Sequence, residues 1–521
     1  MRFPSPITAM NVHIRFFALF VLVISFLTTS TWAVVEPVES TIMNRRHIRL
    51  RWDAVANAQS YEWQIGLAAA ASPFVTPVAI GESSTSENIV TSGISWATNY
   101  VWRVRGIYNG TPLTWSATHT FSTRALPTTL VMTATYGTGS PQAGVTLTNH
   151  CSYVLGYDLD GGLMYCMTAP GSVENVELMA DERVILNTGG RCYVLDLDGN
   201  TIWVSPVGYS VSHDCSIMPD GSVLMLCKES KSIVQGGVTR TWVGDRIVQM
   251  NMSTNAVIWE WSTFTGYSTL DYDTLQSNYW NDWTHCNSLL FVESQNAFYL
   301  SSRHLSRVTK IDYATKKITW NMGFALASGQ ASFGDNLFSY QHAPEFLANG
   351  NILLFDNGNR RDHVARTAST GYSRAVELQL SGAPVNAASI VWQWRLPTYT
   401  DKTGDVDRLA NGNTLVTSTA SNGIFEVNSA GQEVWRLQAT TVPSCGGAAL
   451  PSFYRSQRAA SLFHQSCFAD LDGSGEVDSA DVGIVLLDTG SCQGCMTDLD
   501  NSGEVDSGDV GLTLLSSGPC Q

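Results

Sequence analysis

The chain has 521 residues, 44% of them hydrophobic and only 14% charged, with 16 Trp and a net charge of −15. That length predicts more than one domain, and the composition excludes disorder over most of it. The acidic balance leaves no basic footprint for DNA or RNA, although much of the acidity sits in the C-terminal segment and says little about the rest.

At the N-terminus, His13 and Arg15 precede an apolar run from Phe16 to Leu27, and Thr31 and Ala33 put small residues where a signal peptidase cuts. Residues 1–33 are therefore expected to be a secretory signal, with an uncleaved anchor as the alternative. No later stretch reads as transmembrane. Export to a secreted or periplasmic location is expected, where cysteines can pair.

Residues 34–126 alternate apolar and polar positions between turn residues and carry Trp52, Trp63, Trp102 and Trp115. That pattern predicts a β-sandwich. The run Tyr100-Val-Trp-Arg-Val-Arg, a Gly turn, then Trp115-Ser and Phe121-Ser-Thr resembles a fibronectin type III module, which implies a structural or docking role.

Residues 127–464 hold a divergent repeat: an apolar strand, a turn, a second apolar strand, then a strand ending in Trp. VELMADERVIL with YVLDLDGNTIWV, SIMPDGSVLML with IVQMNMSTNAVIWEW, EFLANGNILLF with VWQWRL, and RLANGNTLVTS with IFEVNSAGQEVWRL are four copies. Asp-Gly and Asn-Gly pairs mark the hairpins. Counting the segment around Tyr153 to Met167 and one unit on His285, about six units of four strands predict a β-propeller. The uneven spacing predicts inserted loops at Thr263 to Trp283 and Arg360 to Arg374.

Residues 465–521 contain an exact-length duplication, Cys467 to Cys492 and Cys495 to Cys520. Each copy places oxygen ligands at calcium-loop spacing. The first set is Asp470, Asp472, Ser474, Asp478 and Asp481, with Glu476 giving a backbone carbonyl. The second is Asp498, Asp500, Ser502, Asp506 and Asp509, with Glu504 in the same role. Gly475 and Gly503 fall where the loop turns, and Asp replaces the usual bidentate Glu at the last position. The duplicated loop and helix resemble a type I dockerin, which implies structural calcium and a cohesin-like protein partner. Cys467–Cys492 and Cys495–Cys520 are suggested bridges, crossed pairing being the alternative. The other seven of the 11 Cys leave at least one thiol free if no bridge joins two molecules. No zinc pattern is present in the propeller, and no cofactor is expected for catalysis.

Within the repeats stand His213 (VSHDCSIMPDG), His285 (DWTHCNS), Arg303 (SSRHLS) and His342 (QHAPEFLANGNILLFDNG). Three imidazoles and a guanidinium converging on one point would hold a small oxyanion. The order H-D-x(5)-D-G, D-W-x-H-x-N-S, S-S-R-H and Q-H-x(6)-N-G-N-I-L-L-F-D-N-G resembles the bacterial arylsulfate sulfotransferase family, and Tyr454 to Phe463 fits that family's closing segment. The resemblance implies a six-bladed propeller that moves a sulfuryl group from a phenolic sulfate donor to an acceptor phenol without a nucleotide. His342 matches the nucleophile, which would form a transient sulfohistidine. His213, His285 and Arg303 match the residues that hold the sulfuryl oxygens, and His285 or His213 would carry the proton.

Taken singly, His213 and His342 each read equally well as strand-start caps, and Arg303 as a salt-bridge residue. His304 and His363 read as surface or supporting residues, and Asp282 and Asn287 as residues that orient His285. Two other functions compete with the transferase: a non-catalytic propeller scaffold anchored by its tail, which has no use for the His/His/Arg/His set, and a sulfatase-like hydrolase using the same site with water as acceptor.

Overall fold

The computed structural model describes residues 34–127, 131–444, 453–463, 471, 476–491, 497, 504–515 and 518–519. The expected signal segment lies outside them, as do Asp470, Asp472, Ser474, Asp498, Asp500, Ser502, Cys467, Cys492, Cys495 and Cys520. The described chain is mainly β.

Near the N-terminus two sheets face each other. One orders Val34–Glu36, Ile48–Trp52 and Glu87–Val90; the other orders Thr41–Met43, His119–Thr123, Asn99–Tyr108, Ser60–Leu67 and Ala79–Ser83. Strand alternation sends Ile48, Leu50, Trp52, Trp63, Trp102 and Val104 into one shared core. Trp115 is only half-buried: Arg103 and Arg105 each hold a guanidinium carbon 4.3 Å from its ring.

Beyond these sheets, six antiparallel sheets follow around a ring. Blade 1 runs from Ser456–Ala459 inside through Val145–His150 and Tyr153–Tyr157 to Leu163–Thr168. Blade 2 is Val173–Leu178, Val184–Thr188, Arg191–Leu195 and Thr201–Val204. Blade 3 is Val211–Ile217, a long hairpin of Val223–Gln235 and Val238–Met250, and Val257–Ser262. Blade 4 is Cys286–Val292, Ala297–Ser302, Arg307–Asp312 and Ile318–Gly323. Blade 5 is His342–Phe346, Ile352–Asp356, Arg374–Ser381 and Ala387–Arg395. Blade 6 is Asp405–Arg408, Thr414–Ser418, Gly423–Val427 and Glu433–Thr441, with Val131–Tyr136 paired outside it.

Every seam between successive blades holds its own apolar cluster, including the seam from blade 6 back to blade 1, where Leu155 and Tyr157 meet Leu415, Trp435 and Leu437. A six-bladed β-propeller results, and the ring is closed twice. The C-terminal strand Ser456–Ala459 is innermost in blade 1, and the N-terminal strand Val131–Tyr136 is outermost on blade 6. Closure removes the free inner edges that an open sheet of this size would expose. At the seam Arg458 pairs with Glu426 at 3.1 Å with both side chains fully buried, and it packs over Trp435.

The hairpin between the two inner strands repeats one device. The side chains of Asp181, Asp220, Asn349 and Asn411 each accept a hydrogen bond from the backbone N–H two residues on, at 3.2, 2.9, 3.0 and 3.0 Å. The residue between takes a left-handed φ: Gly221, Gly350 and Gly412, but Glu182 at 66° in blade 2. The predicted insertions sit where expected, between blades 3 and 4 and inside blade 5, and carry only short helical turns.

Two nine-residue helices, Ser479–Leu487 and Ser507–Leu515, lie in the C-terminal segment. Short strands couple the two halves crosswise: Glu476–Val477 pairs with Gly518–Pro519, and Gly490–Ser491 with Glu504–Val505. Among the described residues no helix is long and apolar enough to cross a membrane.

Candidate active site

The inner strands of blades 3, 4 and 5 break register where they begin. Irregularities fall between Val211 and Cys215, between Cys286 and Ser288, and between His342 and Glu345. Such breaks re-aim a side chain out of the sheet's alternation. His213 takes φ 67°, His285 φ 43°, and Ala343, beside His342, φ 45°. Non-glycine residues seldom adopt this left-handed backbone, and its cost of about 1–3 kcal/mol each persists only where the surroundings impose it. Arg303 is supplied from the turn after Ala297–Ser302, whose last residue pairs with Cys286, so it emerges at the same rim as His285.

All four expected residues come together. The His213 and His285 rings have centroids 4.7 Å apart. Tyr454, just before the closing strand, stands between His213 at 6.0 Å and His342 at 6.4 Å. The Arg303 guanidinium lies over the Tyr340 ring at 4.3 Å. Arg303 donates from Nη2 to the Asp401 carbonyl at 2.9 Å, while its buried Nε has no partner among the described residues. A guanidinium with spare donors at a cluster of imidazoles is suited to an oxyanion.

The partner on each Nδ1 separates the three histidines. Asn357 donates from Nδ2 to the carbonyls of Thr400 and Thr403, both at 2.8 Å, so its Oδ1 must face His342 Nδ1 at 2.7 Å. His342 therefore carries its proton on Nδ1, leaving a lone pair on Nε2. His285 donates from Nδ1 to Asp282. His213 has the hydroxyl of Tyr454 on Nδ1 at 2.7 Å.

Burial, then neighbouring positive charge, sets the charge states. His213 is held well below the usual imidazole range by burial and by His285 and Lys228. His342 is held well below it by burial and by Arg303. His285 is also lowered by burial, against the pull of Asp282. At neutral pH the lasting positive charge beside these rings comes from Arg303 and Lys228, and the imidazoles act as neutral groups. Desolvation is the reason, so the rings can hold an oxyanion as N–H donors beside the charged Arg303.

His304 takes the supporting one of its two expected places: it is buried, its tilted ring lies against His285 with centroids 4.6 Å apart, and it donates from Nδ1 to the Asp282 carbonyl at 2.6 Å. His363 stays exposed. Asp282 orients His285 as expected, but the Asn287 side chain donates instead to the Gln341 carbonyl, at 2.8 Å, and so ties blade 4 to blade 5. The sequence assigned no role to Tyr454, Asn357 or Lys228, although Asn357 falls in the His342 motif and Tyr454 opens the closing segment. Each lies on a different blade from the histidine it serves or follows it by half a hairpin.

The ligand atoms of Asp282, His285 and His304 lie within 4.8 Å of one another. Asp282 accepts from His285 Nδ1 at its carboxylate and from His304 Nδ1 at its carbonyl, and the Lys228 ammonium sits on the carboxylate at 3.0 Å, so these contacts form a hydrogen-bonded cluster. Cys286 is fully buried, and burial pushes its thiol well up, which fits a structural residue. Five described cysteines are free, Cys166, Cys192, Cys215, Cys227 and Cys286, while Cys151 is disulfide-bonded.

Beneath the histidines, Asp214 pairs with Arg455 at 3.1 Å. A cavity of about 520 Å³ opens there, lined in part by Glu177, Glu345, Asp405 and Asp407. Burial raises all four carboxyls, Glu177 and Glu345 to about 7 and Asp405 to about 6.

No curated protein matches the chain significantly. Among solved structures it is similar to a Bacteroides caccae protein of unknown function (14% identity, 56% of this chain and 93% of that one, TM-score 0.34). It is similar also to a streptogramin B lyase (10% identity, 60% and 88%, TM-score 0.35) and to the Dos1 propeller (9% identity, 60% and 86%, TM-score 0.29). The family model for arylsulfotransferase (ASST) matches residues 129–442, which span blades 2 to 6 whole and the sequence around His213, His285, Arg303 and His342. With the match covering more than half of the sequence, the chain belongs to the arylsulfotransferase family.

Proposed function

We propose that the protein transfers a sulfuryl group from an aryl sulfate ester to an acceptor phenol in two steps, through a sulfohistidine at His342. Family membership supports aryl sulfotransferase activity in general. The observation that carries the finer reading is the His342–Asn357 contact, which commits Nδ1 and leaves Nε2 as the lone pair of a neutral imidazole.

In the first step His342 Nε2 attacks sulfur, the ester S–O bond breaks, and the phenolate departs. The three sulfuryl oxygens lie toward Arg303 and the N–H that His213 presents when the Tyr454 hydroxyl donates to its Nδ1. Fixed donors at the site of developing charge are the main source of acceleration in such a transfer. In the second step the acceptor phenol attacks sulfur, the N–S bond breaks, and a neighbouring imidazole takes the phenol proton.

Export, by cleavage of residues 1–33, accords with the disulfide at Cys151. The two N-terminal sheets are read as a fibronectin type III-like module and residues 465–521 as a dockerin-like one. Calcium fits what is described of the tail. Asp481 and Asp509 are fully buried carboxylates at equivalent places, each accepting a backbone N–H at 2.8 Å, from Asp478 and Asp506. Buried carboxylates so placed favour a cation beside them. Asp470, Asp472, Ser474, Glu476, Asp478 and Asp481, and Asp498, Asp500, Ser502, Glu504, Asp506 and Asp509, would hold the ions, which order the loops and take no part in catalysis. A cohesin-like protein is the proposed partner.

The test is release of 4-nitrophenolate from 4-nitrophenyl sulfate, with and without phenol, by wild type and His342→Ala. Release that rises with phenol and disappears in the variant is expected. Release indifferent to phenol marks a hydrolase, and no release from several aryl sulfates marks a scaffold.

A further inference from the structure

His213 and His285 both face the reacting centre, and either ring could carry the phenol's proton. Their surroundings differ. Among the described residues His213 has a hydroxyl on its ring and no carboxylate; Glu174 accepts from its backbone N–H at 2.6 Å. His285 has the Asp282 carboxylate on Nδ1. That carboxylate is itself held: Lys228 donates to its other oxygen at 3.0 Å and contacts Asp245 at 3.1 Å. Asp245, whose side chain is 1% exposed, accepts from the Thr284 hydroxyl at 2.6 Å and the Cys286 N–H at 2.8 Å, the residues on either side of His285. Lys228 and Asp245 are direct cross-strand partners in the long hairpin of blade 3, so a rigid ladder sets the distance.

We infer that Lys228 is a positioning residue which, through the Asp245–Lys228–Asp282 chain, makes His285 the proton carrier of sulfuryl transfer. The inference rests on the proposed reaction and adds who moves the proton. His285 Nε2 takes the proton from the acceptor phenol as its oxygen bonds to sulfur and the N–S bond to His342 breaks. The resulting imidazolium, balanced by Asp282, gives that proton to the oxygen of the next donor ester as its S–O bond breaks. Over a cycle no proton is gained or lost.

Lys228 has a second consequence. The charged groups facing His285 are Asp282 from its own loop, Lys228 from the blade 3 hairpin and Arg303 from the blade 4 turn, with the tilted rings of His213 and His304 at 4.7 and 4.6 Å. Lys228 and Arg303 disfavour the imidazolium, and Asp282 favours it. Burial opposes charge on Lys228 itself, but Asp245 and Asp282 more than offset it and keep it an ammonium. The neutral ring that the acceptor step needs is thus favoured, and Asp282 steadies the imidazolium until the next donor takes its proton.

The experiment compares wild type, Lys228→Met and Lys228→Arg in the full chain. Acceptor kcat/KM should fall by about 10–100-fold in Lys228→Met, the range for loss of an orienting partner, with most of it retained in Lys228→Arg. A base must be neutral, and removing Lys228 favours the charged ring, so the acid limb of the profile should move to higher pH in Lys228→Met. Donor kcat/KM should fall more with phenyl sulfate than with 4-nitrophenyl sulfate, because the poorer leaving group needs the proton more. Imidazole NMR of histidine-labelled protein reads the same shift without turnover: His285 should titrate higher in Lys228→Met. An unchanged His285 titration, or equal losses with both donors and no shift of the acid limb, overturns the inference. A wild type that releases no nitrophenolate, or a His342→Ala that still transfers, instead overturns the reaction, and the NMR arm still decides the role of Lys228.

Discussion

Nδ1 of His342 lies 2.7 Å from Oδ1 of Asn357, and the amide nitrogen of Asn357 is bound by two backbone carbonyls at 2.8 Å. The amide cannot turn without placing its NH₂ against a ring N–H and its oxygen against carbonyls. One side chain therefore fixes which nitrogen of the proposed nucleophile is free, from a position fifteen residues away at the end of the neighbouring strand.

Asn357→Leu should consequently keep the fold and lose about 10–100-fold in kcat/KM, the range for an orienting partner. Both tautomers of His342 become accessible in that variant. In the wild type, His342 is held well below its ordinary range by burial and Arg303, so it stays neutral through pH 6.5 and the acid limb of donor kcat/KM should not arise from it there. A pH–rate profile of both proteins checks this.

The seam between blades 6 and 1 makes a stability prediction. Arg458 and Glu426 are fully buried and paired at 3.1 Å. Removing one partner leaves the other charge uncompensated, at a cost of about 3–5 kcal/mol. Arg458→Met should lower the urea midpoint of the propeller accordingly. The double change with Glu426→Gln should recover part of the loss, since it removes the stranded charge.

The cavity lined by Glu177 and Glu345 contributes a pH dependence of stability. Burial raises Glu177 and Glu345 to about 7, above their unfolded value, so the folded state binds more protons than the unfolded one between about 4.5 and 7. Their contribution to stability therefore falls as pH rises through that window, while the buried imidazoles, held low, contribute the opposite slope. The carboxyl share is read by difference: relative to wild type, Glu177→Gln should gain stability at pH 7.5 over pH 5.5 in urea denaturation.

Chelation separates the tail from the chemistry. EDTA should unfold residues 467–520, seen as lost helix signal and new protease cleavage there, and leave sulfuryl transfer at its former rate. Loss of transfer in a protein that stays folded would join calcium to the active site and contradict the separation.

Much of this architecture was legible in the chain because it repeats. The Asp-Gly and Asn-Gly hairpins at Asp220, Asn349 and Asn411 use one side-chain-to-backbone bond with a left-handed glycine, a local rule that composition alone reveals. His213, His285 and His342 were visible for a similar reason, since each stands where an inner strand begins. What surrounds them was not visible. Tyr454 reaches His213 across a separation of 241 residues, because closure of the ring brings the end of the chain back beside blade 1. Lys228 and Asp282 are 54 residues apart and meet only through the long hairpin of blade 3. The charge states were equally hidden, because desolvation depends on how deeply the folded chain buries each ring.

The central claim is that sulfur passes through His342. Rapid mixing of enzyme with 4-nitrophenyl sulfate in the absence of any phenol tests it most directly, with acid-free quenching and peptide mass analysis of the product. The account predicts a burst of nitrophenolate of about one equivalent per site, as a covalent two-step mechanism requires, and a sulfuryl group on the peptide containing His342 that phenol discharges. His342→Ala should show neither. A burst-free trace with transfer to added phenol intact, or a sulfuryl group found on another residue, would contradict it.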